Sequence, residues 1–467
     1  MALSIVPQGR FDRWVESALS TDLYELTMAV SYLRRNLTGP ATFSLFVREM
    51  PPARGFLVCA GLHDCLDYLQ SFRFNADDVG YIAGQLGLTA DDQERLLDLQ
   101  FTGDVWAVPE GRVVTAGEPL LEVTAPIAEA QLVEPALLNF VTFQTAVASK
   151  AARCRLAAPH AQLIDFSLRR TQSLQAGMQV ARATAIAGFD GTSNVAAARA
   201  FGLTASGTMA HSYVEAFATE REAFIAFAQD FPARTTFLVD TYDTLAGVRT
   251  AVEVIHDLGL STTSGIRLDS GDLAELAVQS RAILDASELS DVRIIASGGL
   301  DEYLLDSLSR AGAPIDGYGV GTKIGVAADT PYLDTAYKLV EFGRRPMFKL
   351  SPGKATLPGR KQVFRGPGLV DQLGLRAQRP PPQTEPVLGQ VMASGHRIET
   401  EDSLRDIRLR CCADLAQLRE EQRRLRDPLP LIADLTPELK AYAFEAGARP
   451  AVARDRHPGG AAIGSPP

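Results

Sequence analysis

The chain has 467 residues, 46% of them hydrophobic and 22% charged, enough for two or three domains around a sizeable core. Its net charge is −10, from 46 basic and 56 acidic residues, which argues against nonspecific nucleic-acid binding as a main role but leaves anionic small substrates open to a local positive pocket. No stretch approaches the roughly 18–20 apolar residues of a membrane span, the N-terminus has no long apolar run of secretory type, and Cys59, Cys65, Cys154, Cys411 and Cys412 show no CxxC pairing, so the expected setting is reduced and cytoplasmic, without a structural zinc site or membrane partner.

Residues 11–38 read as a helix-rich opening, with Ser20-Thr21-Asp22 able to cap the helix that follows. Residues 41–47 read as a strand, and 55–72 and 75–99 as helices. From 101 to 132 the pattern turns to strands punctuated by Gly103, Gly111 and Gly117 and by Pro109, Pro119 and Pro126. Residues 1–133 are therefore expected to form an α/β sandwich domain, completed by C-terminal segments.

A long amphipathic helix is expected over 134–158, after which one layout recurs. Short apolar runs end in polar residues and lead into helical stretches, at 162–170, 203–211, 235–243, 264–272, 292–299 and 314–322. Such alternation indicates a parallel sheet covered on both faces, and its compactness suits an irregular β/α barrel over residues 134–330. Beyond it, 331–448 holds a basic β-like segment, a Pro/Gly-rich linker at 365–386, a short strand at 387–394 and a charged helix at 400–426; the tail, 449–467, reads as disordered.

The polar residues after each strand share one rim, where parallel α/β folds carry their chemistry. His211 follows a small-residue turn, and an imidazole there can accept a proton, bind a metal, attack phosphorus, or simply cap or fill. Arg169, Arg170 and Arg267 offer forks for carboxylate or phosphate, or structural ion pairs. Asp240 and Asp269 are read as functional carboxylates able to hold Mg²⁺, bind ribose hydroxyls or orient an imidazole, whereas Asp243 and Asp272 open helices and are read as N-caps. Ser297-Gly298-Gly299 and Gly319-Val320-Gly321-Thr322 end successive strands, and their backbone N–H groups suit a phosphate cradle.

Longer stretches carry a resemblance: STDLYELTM (20–28), DFSLRRTQ (165–172), GFDGTSNV (188–195), ASGTMAHS (205–212), LVDTYDT (238–244), GIRLDSGDL (265–273), ASGGLDE (296–302) and GYGVGTKIG (317–325). With YKLVE and the basic segment up to residue 365, they resemble the nicotinate phosphoribosyltransferase family, in family order, over residues 11–365. The resemblance implies a type II phosphoribosyltransferase barrel that joins nicotinate to phosphoribosyl pyrophosphate, with ATP as co-substrate, Mg²⁺ as cofactor and a phosphorylated histidine, His211, oriented by Asp240. It implies a homodimer in which Tyr24, given by the neighbouring subunit, and Phe166 sandwich the pyridine ring, with Arg169, Thr208 and Arg267 lining the nicotinate and ribose pocket. Asp269, Ser297, Gly298, Gly299, Gly319, Gly321 and Thr322 fall to phosphoribosyl pyrophosphate. The related nicotinamide enzyme carries an aspartate where this chain has Ser193, and serine suits the acid, since a carboxylate there would repel nicotinate. A nicotinamide or quinolinate enzyme, or a catalytically silent metabolite-binding relative, are the alternatives.

Overall fold

Two sheets meet at a long helix. The computed structural model describes residues 18–260, 264–349, 356–398 and 402–447; the tail expected to be disordered lies outside them. The first sheet has seven antiparallel strands in the order Arg345–Pro346, Thr335–Phe342, Pro40–Val47, Pro119–Pro126, Asp104–Ala107, Gly389–Ala393 and His396–Arg397, so it draws on both ends of the chain. Along Pro40–Val47 the residues Ala41, Phe43, Leu45 and Val47 share one face by the two-residue period of a strand, and all are buried. Phe43 stacks on Tyr337 of the neighbouring strand, with ring centroids 4.8 Å apart.

The second sheet is parallel. Its strands are β1 (Gln162–Asp165), β2 (Gly191–Thr192), β3 (Thr236–Leu238), β4 (Gly265–Leu268), β5 (Arg293–Ala296) and β6 (Gly317–Val320), in the order β2-β1-β6-β5-β4-β3. Leu163, Phe237, Ile266, Ile294 and Val320 are fully buried, as helices on the outer face and side chains within require. Beyond β2, Ala205 makes one parallel bridge to Thr192. No described ladder joins Ala205 to β3, so the barrel is irregular and open along a seam between them.

Helix α1 (Glu134–Ala157) meets the first sheet at Thr142, whose Oγ1 lies 2.6 Å from Thr335 Oγ1, and bonds to segments on either side of it. On one side Ser149 Oγ accepts from Val58 N at 2.8 Å and Thr145 Oγ1 from Ala60 N at 3.2 Å. On the other, buried Lys150 donates to Glu302 (2.6 Å) and Asp329 (3.1 Å), and buried Arg153 to Glu302 (3.2 Å). Arg54 also donates to Asp329, at 2.9 Å. Burial alone would raise the Asp329 carboxyl, but Arg54 and Lys150 outweigh it and hold the group at about 2. Each of these charges has a partner, the condition under which buried ions are tolerated.

Three expectations are corrected. Residues 203–211 form no strand beyond the bridge at Ala205, because Gly207 and the small residues around it leave that segment without a ladder partner. The β-rich stretch ends at Pro126, and Ile127–Leu132 is helical, packed with all six side chains buried. The segment at 365–386 is no plain linker, since Val370–Leu375 pairs antiparallel with Lys361–Gly366 around a turn at Pro367, before the run of prolines at 380–382. Among the described residues no helix is long and apolar enough to cross a membrane.

Candidate active site

The C-terminal ends of the parallel strands lie along one edge: the register pairs Leu238 with Arg267, Ala296 with Leu268, Val320 with Asp165 and Asp165 with Thr192, and β6 runs two residues past β5, where Ala296 pairs with Tyr318. Phe166, Asp269 and Ser297 each stand one residue beyond a strand end, and they meet at Arg267, the penultimate residue of β4. Its Nε donates to Ser297 Oγ (2.7 Å), Nη1 to Thr208 Oγ1 (3.0 Å) and to Met209 O (3.4 Å), and Nη2 to Asp269 Oδ1 (2.6 Å). Its guanidinium also lies over the Phe166 ring, 5.5 Å from the centroid. Ser297 Oγ donates to Asp269 as well. Burial alone would raise the Asp269 carboxyl, but hydrogen bonds from Ser297 and Arg267, with His211 nearby, hold it below the usual carboxylate range.

Phe166 is seated by Gly319. A Cβ at Gly319 would stand 2.5 Å from the ring, so only glycine admits the aromatic there. This moves Gly319 out of the phosphate cradle expected of it, because it lies inside β6 with its neighbours paired to β1. The turns themselves remain. Gly298 and Gly299 have φ of +92° and +64°, and a Cβ at Gly298 would meet the Asp269 carbonyl oxygen at 2.0 Å. Gly321 leads into the short helix Thr322–Gly325. Lys323 Nζ donates to Asp301 Oδ2 at 2.6 Å, linking this turn to the residue that caps helix α2 (Glu302–Arg310).

Half-buried His211 opens the five-residue helix His211–Glu215 at the seam. Its Nδ1 lies 3.2 Å from Thr241 Oγ1, so threonine orients the ring where Asp240 was expected to do so. Asp240 turns the other way: its Oδ2 accepts from Asp269 N (3.1 Å) and from Ser270 Oγ (2.6 Å), while its Oδ1 is buried without a hydrogen-bond partner among the described residues. Glu220 stands near it. Burial first, then the charges of Asp240 and Asp243, push the Glu220 carboxyl up to about 7. Asp243 and Asp272 cap helices as expected, accepting from Ala246 N at 2.8 Å and from Ala274 N and Glu275 N at 3.1 Å.

Arg169 and Arg170 are exposed on a 3-10 turn after β1 and form no ion pair among the described residues. Ser193 follows β2, and its N–H donates to Asp165 O at 2.8 Å. Tyr24 is not gathered in. It lies 52% exposed on the helix Leu23–Arg34, on the other domain. Thr241, Ser270, Glu220 and the Asp301–Lys323 pair were not singled out from the sequence; Thr241 and Ser270 each directly follow a singled-out aspartate, which was the available signal.

A histidine, an arginine hub, a seated aromatic and two glycine turns thus stand on one rim. Models of the nicotinate phosphoribosyltransferase family match residues 19–142 (N-terminal domain), 161–340 (the family model proper) and 374–442 (C-terminal domain). The nicotinate phosphoribosyltransferase pncB2 of Mycobacterium tuberculosis is 47% identical over 399 residues, 83% of this chain and 85% of its own. The chain belongs to the nicotinate phosphoribosyltransferase family. Within that family, the Bacillus subtilis nicotinate phosphoribosyltransferase is 43% identical over 357 residues, 74% of this chain and 73% of its own. The crystal structure of human nicotinic acid phosphoribosyltransferase superposes with a TM-score of 0.81 at 30% identity, covering 91% of this chain and 99% of that one.

Proposed function

We propose that this chain is a nicotinate phosphoribosyltransferase that opens NAD salvage from nicotinate, with Arg267 at the centre of its site. The observation that carries the reading is the Arg267 fork, which joins Thr208, Ser297 and Asp269 while covering Phe166. Arginine matches a carboxylate geometrically as well as electrostatically, and an aromatic face beneath it suits the pyridine ring. Nicotinate lies on Phe166 with its carboxylate toward Arg267, Thr208 and the exposed Arg169. Asp269, ionised by its hydrogen bonds, accepts from the ribose hydroxyls. The Ser297-Gly298-Gly299 and Gly321-Thr322 turns hold the 5′-phosphate through backbone N–H groups.

In the transfer, the bond from ribose C1′ to the diphosphate oxygen breaks and a bond from C1′ to the pyridine nitrogen forms. The nitrogen lone pair supplies the electrons, and diphosphate leaves with the pair from the broken bond. In the coupled half of the cycle, the γ-phosphoryl of ATP passes to a nitrogen of His211, ADP leaves, and water later cleaves the P–N bond to release phosphate. A charged phosphoimidazole beside the diphosphate site changes affinity for substrate and product, which is how hydrolysis drives the exchange.

Among the described residues no cluster of three or more His, Cys, Asp or Glu side chains is arranged to hold a metal ion by protein groups alone. The unpartnered carboxylate oxygen Asp240 Oδ1 fits a Mg²⁺ ion and is the group here that would help to hold one. When bound, the ion neutralises charge on the departing diphosphate. Ser193 in place of an aspartate favours the acid over the amide. Exposed Tyr24 fits the role of closing the pyridine site of a partner subunit in a homodimer.

The test is turnover of nicotinate, nicotinamide and quinolinate in direct competition, with ATP labelled at the γ-phosphate. Nicotinate mononucleotide should dominate, and acid-labile, base-stable label should appear on the wild type and vanish in His211→Ala. Preferred turnover of the amide, or ligand binding without any turnover, would reject the reading.

A further inference from the structure

On the outer wall of the barrel, between α1, α2 and the C-terminal helix Leu404–Gln417, lies a cavity of about 860 Å³ that shares no residue with the rim. Its lining is unusually basic for a chain of net charge −10: Arg155, Arg310, Arg423, Arg424 and Arg426, against the acids Asp306 and Glu420. Two of the arginines are already neutralised, Arg155 by Asp190 and Arg310 by Asp306, each at 2.8 Å. The other three pair with no carboxylate among the described residues. Arg423 Nη2 donates only to the Ala416 carbonyl, at 2.6 Å, and its Nε is buried without a partner. Arg424 and Arg426 are exposed, and the Arg426 guanidinium is held over the Tyr303 ring at 4.7 Å from the centroid.

Three guanidinium groups with no carboxylate partner line one cavity against a single unpaired acid, Glu420, and a bound anion offsets the positive charge left over. Guanidinium forks match phosphate oxygens through paired hydrogen bonds. The volume lies within the roughly 300–1,000 Å³ of small-molecule sites and exceeds what one phosphate needs. The geometry points to a second anion site here, one that takes a small molecule carrying two or more phosphate groups. Its wall is wired to the rim. Arg153 Nη2 donates to Leu425 O (2.9 Å) and to Tyr303 Oη (3.1 Å), and its Nε to Glu302, the third residue after Gly299. A run of hydrogen bonds thus reaches from the cavity wall to Glu302, which the chain places three residues from the glycine turn.

The test is calorimetric titration of the full chain with inorganic tripolyphosphate at fixed ionic strength. If the proposed catalytic reading holds, this probe also enters the rim at its glycine turns, so the titration is run in a Gly298→Ala background, which displaces the turn that would hold phosphate, with and without Arg424→Gln and Arg426→Gln together. A binding event should persist in Gly298→Ala and weaken at least tenfold when the two arginines are replaced. On the wild-type background, Arg424→Gln/Arg426→Gln should turn over nicotinate within about twofold of the unsubstituted chain, which also shows that it folds. Equal affinity with and without the pair, or loss of all binding in Gly298→Ala alone, would overturn the site while leaving the catalytic reading intact.

Discussion

His211 and Thr241 face each other across the barrel seam, with Nδ1 3.2 Å from Oγ1. With Nδ1 engaged by the hydroxyl, Nε2 is the nitrogen left to take a phosphoryl group. Thr241→Val removes one neutral hydrogen bond, worth about 1 kcal/mol, and should slow phosphoprotein formation about fivefold. His211→Asn should abolish ATP stimulation altogether while leaving ATP-independent transfer measurable. Single-turnover labelling, with steady-state rates taken with and without ATP, checks both.

Arg267→Lys keeps the charge and loses the fork. A lysine ammonium cannot serve Ser297, Thr208 and Asp269 together as the guanidinium does. Losing charge-assisted bonds to substrate and neighbours, about 3 kcal/mol in all, should lower kcat/KM for nicotinate by about a hundredfold. Kinetics at saturating phosphoribosyl pyrophosphate measure this.

The paired glycines separate two effects. Gly298→Ala combines a φ of +92° with a Cβ 2.0 Å from the Asp269 carbonyl, so the turn must move. Gly299→Ala has a φ of +64° and open space around the new methyl, so it costs only the roughly 1 kcal/mol of a left-handed alanine. Gly298→Ala should raise the KM for phosphoribosyl pyrophosphate more than tenfold, and Gly299→Ala only a few-fold.

Stability should depend on pH through the foot of α1. Burial first, opposed by Lys338 and reinforced by Glu25, pushes the Glu134 carboxyl from its ordinary 4.5 up to about 7. Between those values the folded chain keeps a proton that the unfolded chain has released, so stability falls as pH rises through this window. Glu134→Gln should flatten the decline of Tm between pH 5 and pH 7, as read by thermal melts across that range.

Much of the barrel was legible because parallel strands buried on both faces are short apolar runs, and the polar residues after them must share one edge. The N-caps Asp243 and Asp272 were legible for a similar reason, since a cap acts within three residues of itself. Choices between adjacent polar residues were not. Asp240 and Thr241 are neighbours, and only the turn of the backbone sends the hydroxyl to His211 and the carboxylate to Asp269 N. Gly319 looked like part of a phosphate loop until its place inside β6 put the Phe166 ring against it.

The sequence by itself determined the alternation of strand and helix, the edge on which chemistry lies, and the set of residue types gathered there, because each depends on local periodicity and chain direction. Tertiary structure alone decided which of those residues touch. Arg267 reaches Thr208 across 59 positions of sequence, and that contact exists only because the parallel strands end on one edge and the seam loop comes back over it.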